Sequence, residues 1–523
     1  MKDFKQKMKA FVGGRNFASG LLVALVIAVV VFVNVIAYTV TQYFQLYLYV
    51  QESDDLSVSD ASAALFDEAI REGKTVSVTF CMDKSELQTH QTGKFVYETA
   101  LGFKEKYPEF IKLNYVNVYT KLYSDSDEHS SGELFDSSVY ESYTDPETGK
   151  VSEYSFLGTS VIFEYKAYDG AGNVLKHNYR VVTDTYTTSG FADFFTTDGE
   201  LNMTSYNGEE VFASMCAWVL KDSHSTAYVT VGHGETVDTS LVSALYCAGY
   251  YVDTLNLKTD PFPDDAGLIV ISNPKHDFES STNPALSTEI KKLEDYKNAG
   301  GKFYIVIDPL AKKLQAIERF VESFGIAMAK DSETGERYIV RDTENAITTD
   351  GYTLVAEHAD NAMSNTVYSN FKDFGGSVVV RYSGALELTG EAKALLVSSP
   401  SSDCYAGGER VDGEGKYALA AYSTVDTQSG NEATIFFAPS VYMTSADAMV
   451  SDGYSNKNFL YSVFGEVYGE GEMPYGCNSV TLDNTVLENL RMGTARLYTA
   501  LLLAIPAALG IAGAVVIIRR KNR

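Results

Sequence analysis

Two apolar runs stand at opposite ends of the chain, each flanked by basic residues on its terminal side. The first covers residues 21–40 and is interrupted only by Asn34 and Thr39; the second covers about 497–518. Each is close to the roughly 20 residues that cross a bilayer core. Lys2, Lys5, Lys7, Lys9 and Arg15 precede the first, and Arg519, Arg520, Lys521 and Arg523 follow the second. Positive flanks stay in the cytoplasm. The sequence therefore predicts two transmembrane helices in the cell membrane, with tails 1–20 and 519–523 inside and everything between outside. A cleaved signal peptide is the alternative for the first run. Its length, and the lack of an A-x-A site before Tyr43, favour a retained anchor. A buried core helix is the alternative for the second, and an uncharged run ending in basic residues argues against it.

The segment between the spans exceeds the ~100–200 residues of one domain. We divide it into an α/β domain over 41–225, a second α/β domain over 226–480 and a juxtamembrane helix over 481–496. The chain has net charge −27 and both tails are basic, so the outer segment is more acidic still. Such a surface repels phosphate backbones and excludes nucleic acid as a partner. The five cysteines, Cys81, Cys216, Cys247, Cys404 and Cys477, are widely spaced with no C-x-x-C pair. This is no disulfide-stapled scaffold, and Cys247 in its apolar stretch reads as core. Seven histidines without paired spacing give no metal site, and no cofactor is expected.

Along the outer segment, residues 57–60 open a helix through about 72. A strand over 76–81, a helix over 94–106 with Phe95, Ala100 and Phe103 toward one side, and a strand over 111–119 form a β-α-β unit suited to a thioredoxin-like half-sheet, without a redox cysteine pair. Residues 122–158, rich in Ser, Asp, Glu and Tyr, read as a long exposed insertion. A hairpin over 160–167 and 174–183 turns at Asp169-Gly170-Ala171-Gly172. A helix over 209–220 and a linker over 221–225 follow. Strands at 227–231, 251–255, 266–272 and 303–307 then alternate with helices at 240–248, 287–300 and 311–324. Ser287 caps the second of these helices, and Ile290, Leu293 and Tyr296 share one of its faces. Short connections between alternating strands and helices argue a parallel sheet covered on both faces. Residues 331–430 are less regular, with strands at 377–382 and 394–398 and turns over 400–415. A strand at 434–438 returns to the same sheet, and a helix covers 456–465.

In an open parallel sheet, ligands bind beyond the carboxyl ends of the strands. Gly232-His233-Gly234-Glu235, Asn273-Pro274-Lys275 and Asp308 all fall there. Gly232 and Gly234 let backbone N–H groups approach a ligand, His233 and Glu235 suit acid–base or hydrogen-bonding roles, and Asn273, Lys275 and Asp308 add polar contacts. The competing reading is a tight turn whose side chains bond only neighbouring loops. No G-x-S-x-G, P-loop or H-E-x-x-H motif is present, so the chain carries no ATPase motif of its own. The 36 tyrosines suit protein recognition or sugar stacking as well as ordinary core use, and the lone Trp218 lies in an apolar helix. Ala504, Ala507, Ala508, Gly510, Ala512, Gly513 and Ala514 leave the second span small-sided, which suits close helix packing, and Pro506 suits a kink.

Residues 226–330 resemble the GldG-like gliding-motility auxiliary components of ABC-type transport systems. The resemblance rests on Val229-Thr230-Val231-Gly232-His233-Gly234-Glu235, Gly249-Tyr250-Tyr251-Val252, Leu268-Ile269-Val270-Ile271-Ser272-Asn273-Pro274-Lys275, Asn298-Ala299-Gly300-Gly301-Lys302, Ile305-Val306-Ile307-Asp308-Pro309 and Phe324-Gly325-Ile326. It implies an extracytoplasmic domain similar to the class I glutamine amidotransferase topology but without its catalytic cysteine. It also implies work beside an ATP-binding subunit and an ABC permease. The 122–158 insertion and the 331–430 region depart from the family pattern.

The first functional expectation is thus a non-enzymatic membrane-anchored accessory subunit of an ABC-type export system, its outer part binding substrate, a cell-envelope component or a partner subunit. The alternatives are a membrane-anchored hydrolase or amidotransferase-like enzyme using His233 and Glu235, and an adhesin or sensor ectodomain.

Overall fold

Alternating apolar residues set the first layer. The computed structural model describes residues 56–482, apart from 141–142, 145–150, 153–155, 183–189, 198–202, 282, 284–285 and 451–452, together with Arg520. Both expected membrane spans, and the juxtamembrane helix beyond Leu482, lie outside these residues. Among the described residues no helix is long and apolar enough to cross a membrane.

Val76, Val78 and Phe80 of β1 (Val76–Phe80) and Ile111, Leu113 and Tyr115 of β2 (Ile111–Asn117) face one core. Helix α1 (Gly93–Lys106) connects these strands, which pair in parallel, as the β-α-β reading requires. β3 (Leu122–Ser124), β4 (Val161–Tyr168) and β5 (Val174–Val182) complete a five-stranded sheet in the order β3-β2-β1-β4-β5. The hairpin β4–β5 turns where expected, with Asp169 accepting from the backbone of Ala171 and Asn173.

The described part of the 122–158 segment is largely exposed, as its composition suggests, but a few aromatic residues anchor it to the sheet. Tyr123, Phe135 and Tyr140 are buried with Phe156 packed against them, and they cover the face of the sheet that carries Cys81, Val116 and Ile162. A few aromatic rings bury the area that several aliphatics would, so the segment reads as polar while covering an apolar face.

Helix α2 (Gly208–Leu220) follows, and it is buried nearly all round. A helix with an apolar surface on every side belongs inside a core. Phe212 stacks on Phe103 of α1 at 4.5 Å and meets Phe163 of β4 edge-on at 5.0 Å. Trp218, near its other end, packs edge-on against Tyr251 of the second sheet at 5.2 Å. The 221–225 stretch is no free linker, because the Lys221 carbonyl accepts from Lys176 Nζ at 3.0 Å and Asn178 Nδ2 at 2.7 Å.

The second unit runs β6 (Thr226–Thr230), α3 (Thr239–Cys247), β7 (Tyr251–Leu255), β8 (Ala266–Ser272), α4 (Glu289–Asn298), β9 (Lys302–Val306) and α5 (Gln315–Glu322). After an irregular stretch come β10 (Thr353–His358), α6 (Ala362–Ser369), β11 (Val378–Arg381), β12 (Lys393–Val397), β13 (Ala418–Asp426), β14 (Glu432–Ala438) and α7 (Asn456–Ser462). The sheet order is β7-β6-β8-β9-β14-β13-β12-β10-β11. The first five strands are parallel and the rest are added antiparallel. Leu268 and Val270 face the core shared with α2 and α3, while Ile269 and Ile271 face α4 and α5. The fold is therefore mixed α/β with a parallel region covered on both faces.

Three expectations need correction. Residues 331–430 hold much of the antiparallel extension, and the 400–415 turns are a hairpin of Ser402–Ala406 with Glu409–Gly415. Register shifts within these strands break the period-two signal. The helix expected over 57–72 splits into a 3₁₀ turn, Ala61–Leu65, and a short helix, Asp67–Arg71. Helix α4 is capped by Thr288 rather than Ser287, its hydroxyl accepting from the Lys291 N–H.

Glu210 in the first turn of α2 is buried and pairs with Lys457 of α7 at 2.7 Å, and it also accepts from the Tyr461 hydroxyl. Burial alone would lower the Lys457 pKa; the Glu210 carboxylate outweighs it and raises it. Removing one member of a buried pair strands the other charge. Glu210→Leu should cost about 3 kcal/mol of stability in chemical denaturation, and adding Lys457→Met should regain at least half of it. Additive losses would contradict the pairing.

Candidate functional site

The parallel strands lie in the order second, first, third, fourth, fifth, counting from β6. That order reverses direction between β6 and β8, the position at which open parallel sheets bind ligands beyond the strand carboxyl ends. The segments expected to carry chemistry leave those strands on either side of it.

Val231 extends β6, its N–H bonding the Leu255 carbonyl at 3.0 Å. The chain then turns through Gly232 (φ +110°) and Gly234 (φ +72°), conformations that disfavour side chains. A Cβ on Gly234 would lie 3.2 Å from Cβ of Lys275, so the two loops touch here. The His233 carbonyl accepts from the N–H groups of Lys275 and His276 at 2.8 and 2.9 Å, which ties the loop after β6 to the loop after β8.

His233 is buried, 6% exposed. Its Nδ1 meets Glu235 Oε1 at 3.2 Å, its Nε2 meets Glu289 Oε2 at 3.1 Å, and its ring stacks on Phe278 at 3.9 Å. The Glu235 carboxylate also accepts from the His233 backbone N–H at 2.7 Å, and Glu289 accepts from the Glu279 N–H at 2.6 Å. Burial pushes the imidazole pKa down, but hydrogen bonds to the two carboxylates outweigh it and raise it. Burial pushes the Glu235 carboxyl up, and its hydrogen bonds, led by His233, bring it below the usual value. The ring lies between two carboxylates that favour its protonated form. Both ring nitrogens are engaged, so this ring has no nitrogen directed at a reacting group. Glu289 Oε1 is buried and has no partner among the described residues.

The second cluster is more open. Asn273 (φ +52°) extends β8, its N–H bonding the Val306 carbonyl at 2.8 Å, and its Nδ2 donates to Thr236 Oγ1 at 2.6 Å. Lys275 Nζ donates to Asn273 Oδ1 at 2.7 Å and lies 3.9 Å from Asp308 Oδ2. Asp308 follows β9, and its Oδ1 accepts from the Leu310 N–H at 2.9 Å. The Lys275 and Asp308 side chains are 41% and 32% exposed. The structure therefore gathers Gly232, His233, Gly234, Glu235, Asn273, Lys275 and Asp308 at one edge, with His233 inside and the Lys275–Asp308 pair at the surface.

Glu289 is the partner that the sequence reading missed. It is the first residue of α4, directly after the Thr288 cap, and an acid there reads as ordinary helix-end chemistry. No local pattern links it to a histidine 56 positions away. Asp277 was also missed. Its carboxylate accepts from the Ala316 N–H at 2.9 Å and so caps α5 from the loop after β8. Among the described residues no group of three or more His, Cys, Asp or Glu could hold a metal ion.

No protein-family model matches the chain, and no curated protein matches it. Among solved structures, the mmIFT52 N-terminal domain aligns with 46% of this chain and 97% of its own length, at 16% identity and TM-score 0.35. A ThuA-like protein from Bacteroides uniformis ATCC 8492 aligns with 48% of this chain and 94% of its own, at 14% identity and TM-score 0.29. PurLQS from Thermotoga maritima aligns with 46% and 98%, at 13% identity and TM-score 0.27. These likenesses are too distant to bear on activity.

The two pKa shifts set a pH window. A raised His233 pKa stabilises the fold below its ordinary 6.5, and this is lost as pH rises through the folded value. A lowered Glu235 pKa stabilises above its ordinary 4.5, and this is lost as pH falls through the folded value. The stability difference between wild type and His233→Leu should therefore be largest between the ordinary values of 4.5 and 6.5 and shrink as pH rises above that window. Thermal unfolding across pH checks this, and a difference independent of pH would contradict it.

Proposed function

We propose that this chain is a non-enzymatic auxiliary component of an ABC-type export system, similar to the GldG-like proteins. In this reading two membrane spans anchor it with both termini in the cytoplasm. The outer α/β units bind a substrate, a cell-envelope component or a partner subunit, and an ATP-binding subunit and a permease supply the transport. The second unit is read as amidotransferase-like in topology and the first as thioredoxin-like, with the order β2-β1-β4-β5 and α2 following the hairpin.

One observation carries the reading. The loops at the reversal of strand order place hydrogen-bonding groups around a histidine whose two nitrogens are already committed to carboxylates. A base held in that way suits a rigid binding rim better than proton transfer. The exposed Lys275–Asp308 pair and the backbone of Gly232 and Gly234 form that rim.

Detergent extraction of the native membrane followed by affinity capture of the full chain tests it. An ATP-binding subunit and a multi-span permease should co-purify in fixed ratio. Lys275→Glu, which places two acids side by side at the rim, should impair function at least tenfold while leaving the thermal midpoint within about 2 °C. Capture of the chain alone, or full function in Lys275→Glu, would contradict the proposal.

A further inference from the structure

The second sheet divides near its antiparallel end. β10 pairs with β11 only over Thr353–Ala356 and then with β12 at Glu357 and His358. Before β11 the chain turns away through Gly375 (φ +74°) and Gly376 (φ +78°). A Cβ on Gly376 would meet Ser455 Oγ at 2.9 Å and the Tyr454 backbone at 3.0 Å. The Ser377 carbonyl accepts from the Ser455 N–H at 3.0 Å, so this segment is held on the loop before α7 rather than on β10. A cavity of about 420 Å³ opens between the parted strands, β12, α6 and α7.

Its floor and mouth differ in chemistry. Val367, Phe371, Leu395, Leu396 and Phe459 line the floor, and each is at most 5% exposed. Glu357, His358, Asp360 and Lys416 line the mouth, the first half-buried and the others exposed. One wall is aromatic from mouth to floor. His358 stacks nearly parallel on Tyr368 at 4.3 Å, Tyr368 meets Phe371 edge-on at 5.7 Å, and Phe371 meets Phe459 edge-on at 6.3 Å. Lys416 Nζ pairs with Glu357 Oε2 at 2.7 Å. The Asp360 carboxylate has no partner among the described residues.

Protein interiors leave few voids larger than a water molecule. This one has room for several waters at ~30 Å³ each, over a floor that offers them no hydrogen bond. An apolar group, above all an aromatic ring, displaces such water favourably and finds ring edges and faces to pack on. The mouth selects what that group carries. Two carboxylates stand there against one ammonium that is already paired, on a chain of net charge −27. A ligand carboxylate would be repelled by Asp360, whereas a ligand ammonium gains a partner in it and is attracted by the Tyr368 ring.

We propose that this cavity binds a small aryl-alkyl amine, its ring on the floor beside Phe371 and Phe459 and its ammonium at the mouth beside Asp360 and Glu357. The site lies toward the opposite end of the strand order from the loops at His233 and does not depend on the proposed transport role.

Calorimetric titration of the full chain in nonionic detergent tests it, with 4-phenylbutylamine, 4-phenylbutanol and 4-phenylbutyrate each run against a detergent-only blank. The amine should bind at one site per chain, at least about fivefold tighter than the alcohol, and the carboxylate should bind more weakly than either. Asp360→Asn removes the charge of an exposed side chain and keeps its shape, so it should weaken the amine about fivefold and leave the alcohol unchanged. Ala356→Leu fills the cavity from β10 and should abolish binding of both; if that variant does not fold, Asp360→Asn decides the matter. No saturable binding of the amine, equal affinity for amine and carboxylate, or an amine affinity unchanged by Asp360→Asn would overturn the proposal.

Discussion

The two carboxylates that open α2 hold the molecule together. Glu209 accepts from the Ser59 N–H and hydroxyl at 2.9 and 2.6 Å and from the Asn478 N–H at 2.9 Å. Asn478 Nδ2 reaches the Ser57 carbonyl at 2.8 Å, and Ser479 bonds Asn207 at 2.8 Å. Residues from the two ends of the described chain therefore meet at one helix N-terminus, where the dipole favours negative charge. Glu210 beside it ties the same turn to α7 through Lys457 and Tyr461. Both acids are nearly fully buried, so their stability depends on keeping these partners.

The rest of the architecture depends on that strut. One face of α2 packs on α1 and β4, and its far end meets β7 through Trp218. Side chains from both sheets belong to one continuous core. Ser57 and Asn478 thus lie side by side at the base of α2.

The parallel part of the fold was legible because its strands are short, continuous and apolar, and its helices begin and end on clear signals. Leu268 to Ile271 alternate between two cores, and Gly232, Asn273 and Asp308 mark strand ends. The seven candidate residues could be placed at one edge from topology alone. What they do there could not. The sequence left His233 open between an acid–base role and a tight turn bonded to neighbouring loops, and Glu289, brought in by α4, occupies its second nitrogen. The anchoring of the exposed 122–158 segment was not legible because Tyr123, Phe135 and Tyr140 do the work of aliphatics. Within 331–430 the strands at 378–381 and 393–397 were legible, while those at 353–358, 402–406, 409–415 and 418–426 were missed where turns and bulges interrupt the alternation.

The central claim is that α2 makes the two sheets one cooperative body. Native-state hydrogen exchange of the full chain tests it most directly. The account requires the backbone N–H groups of Gly208–Leu220 to exchange only in the opening that also exposes β1 of the first sheet and β8 of the second, with one common free energy. If one sheet keeps its protection while α2 and the other sheet exchange, the two units are independent and the account is wrong.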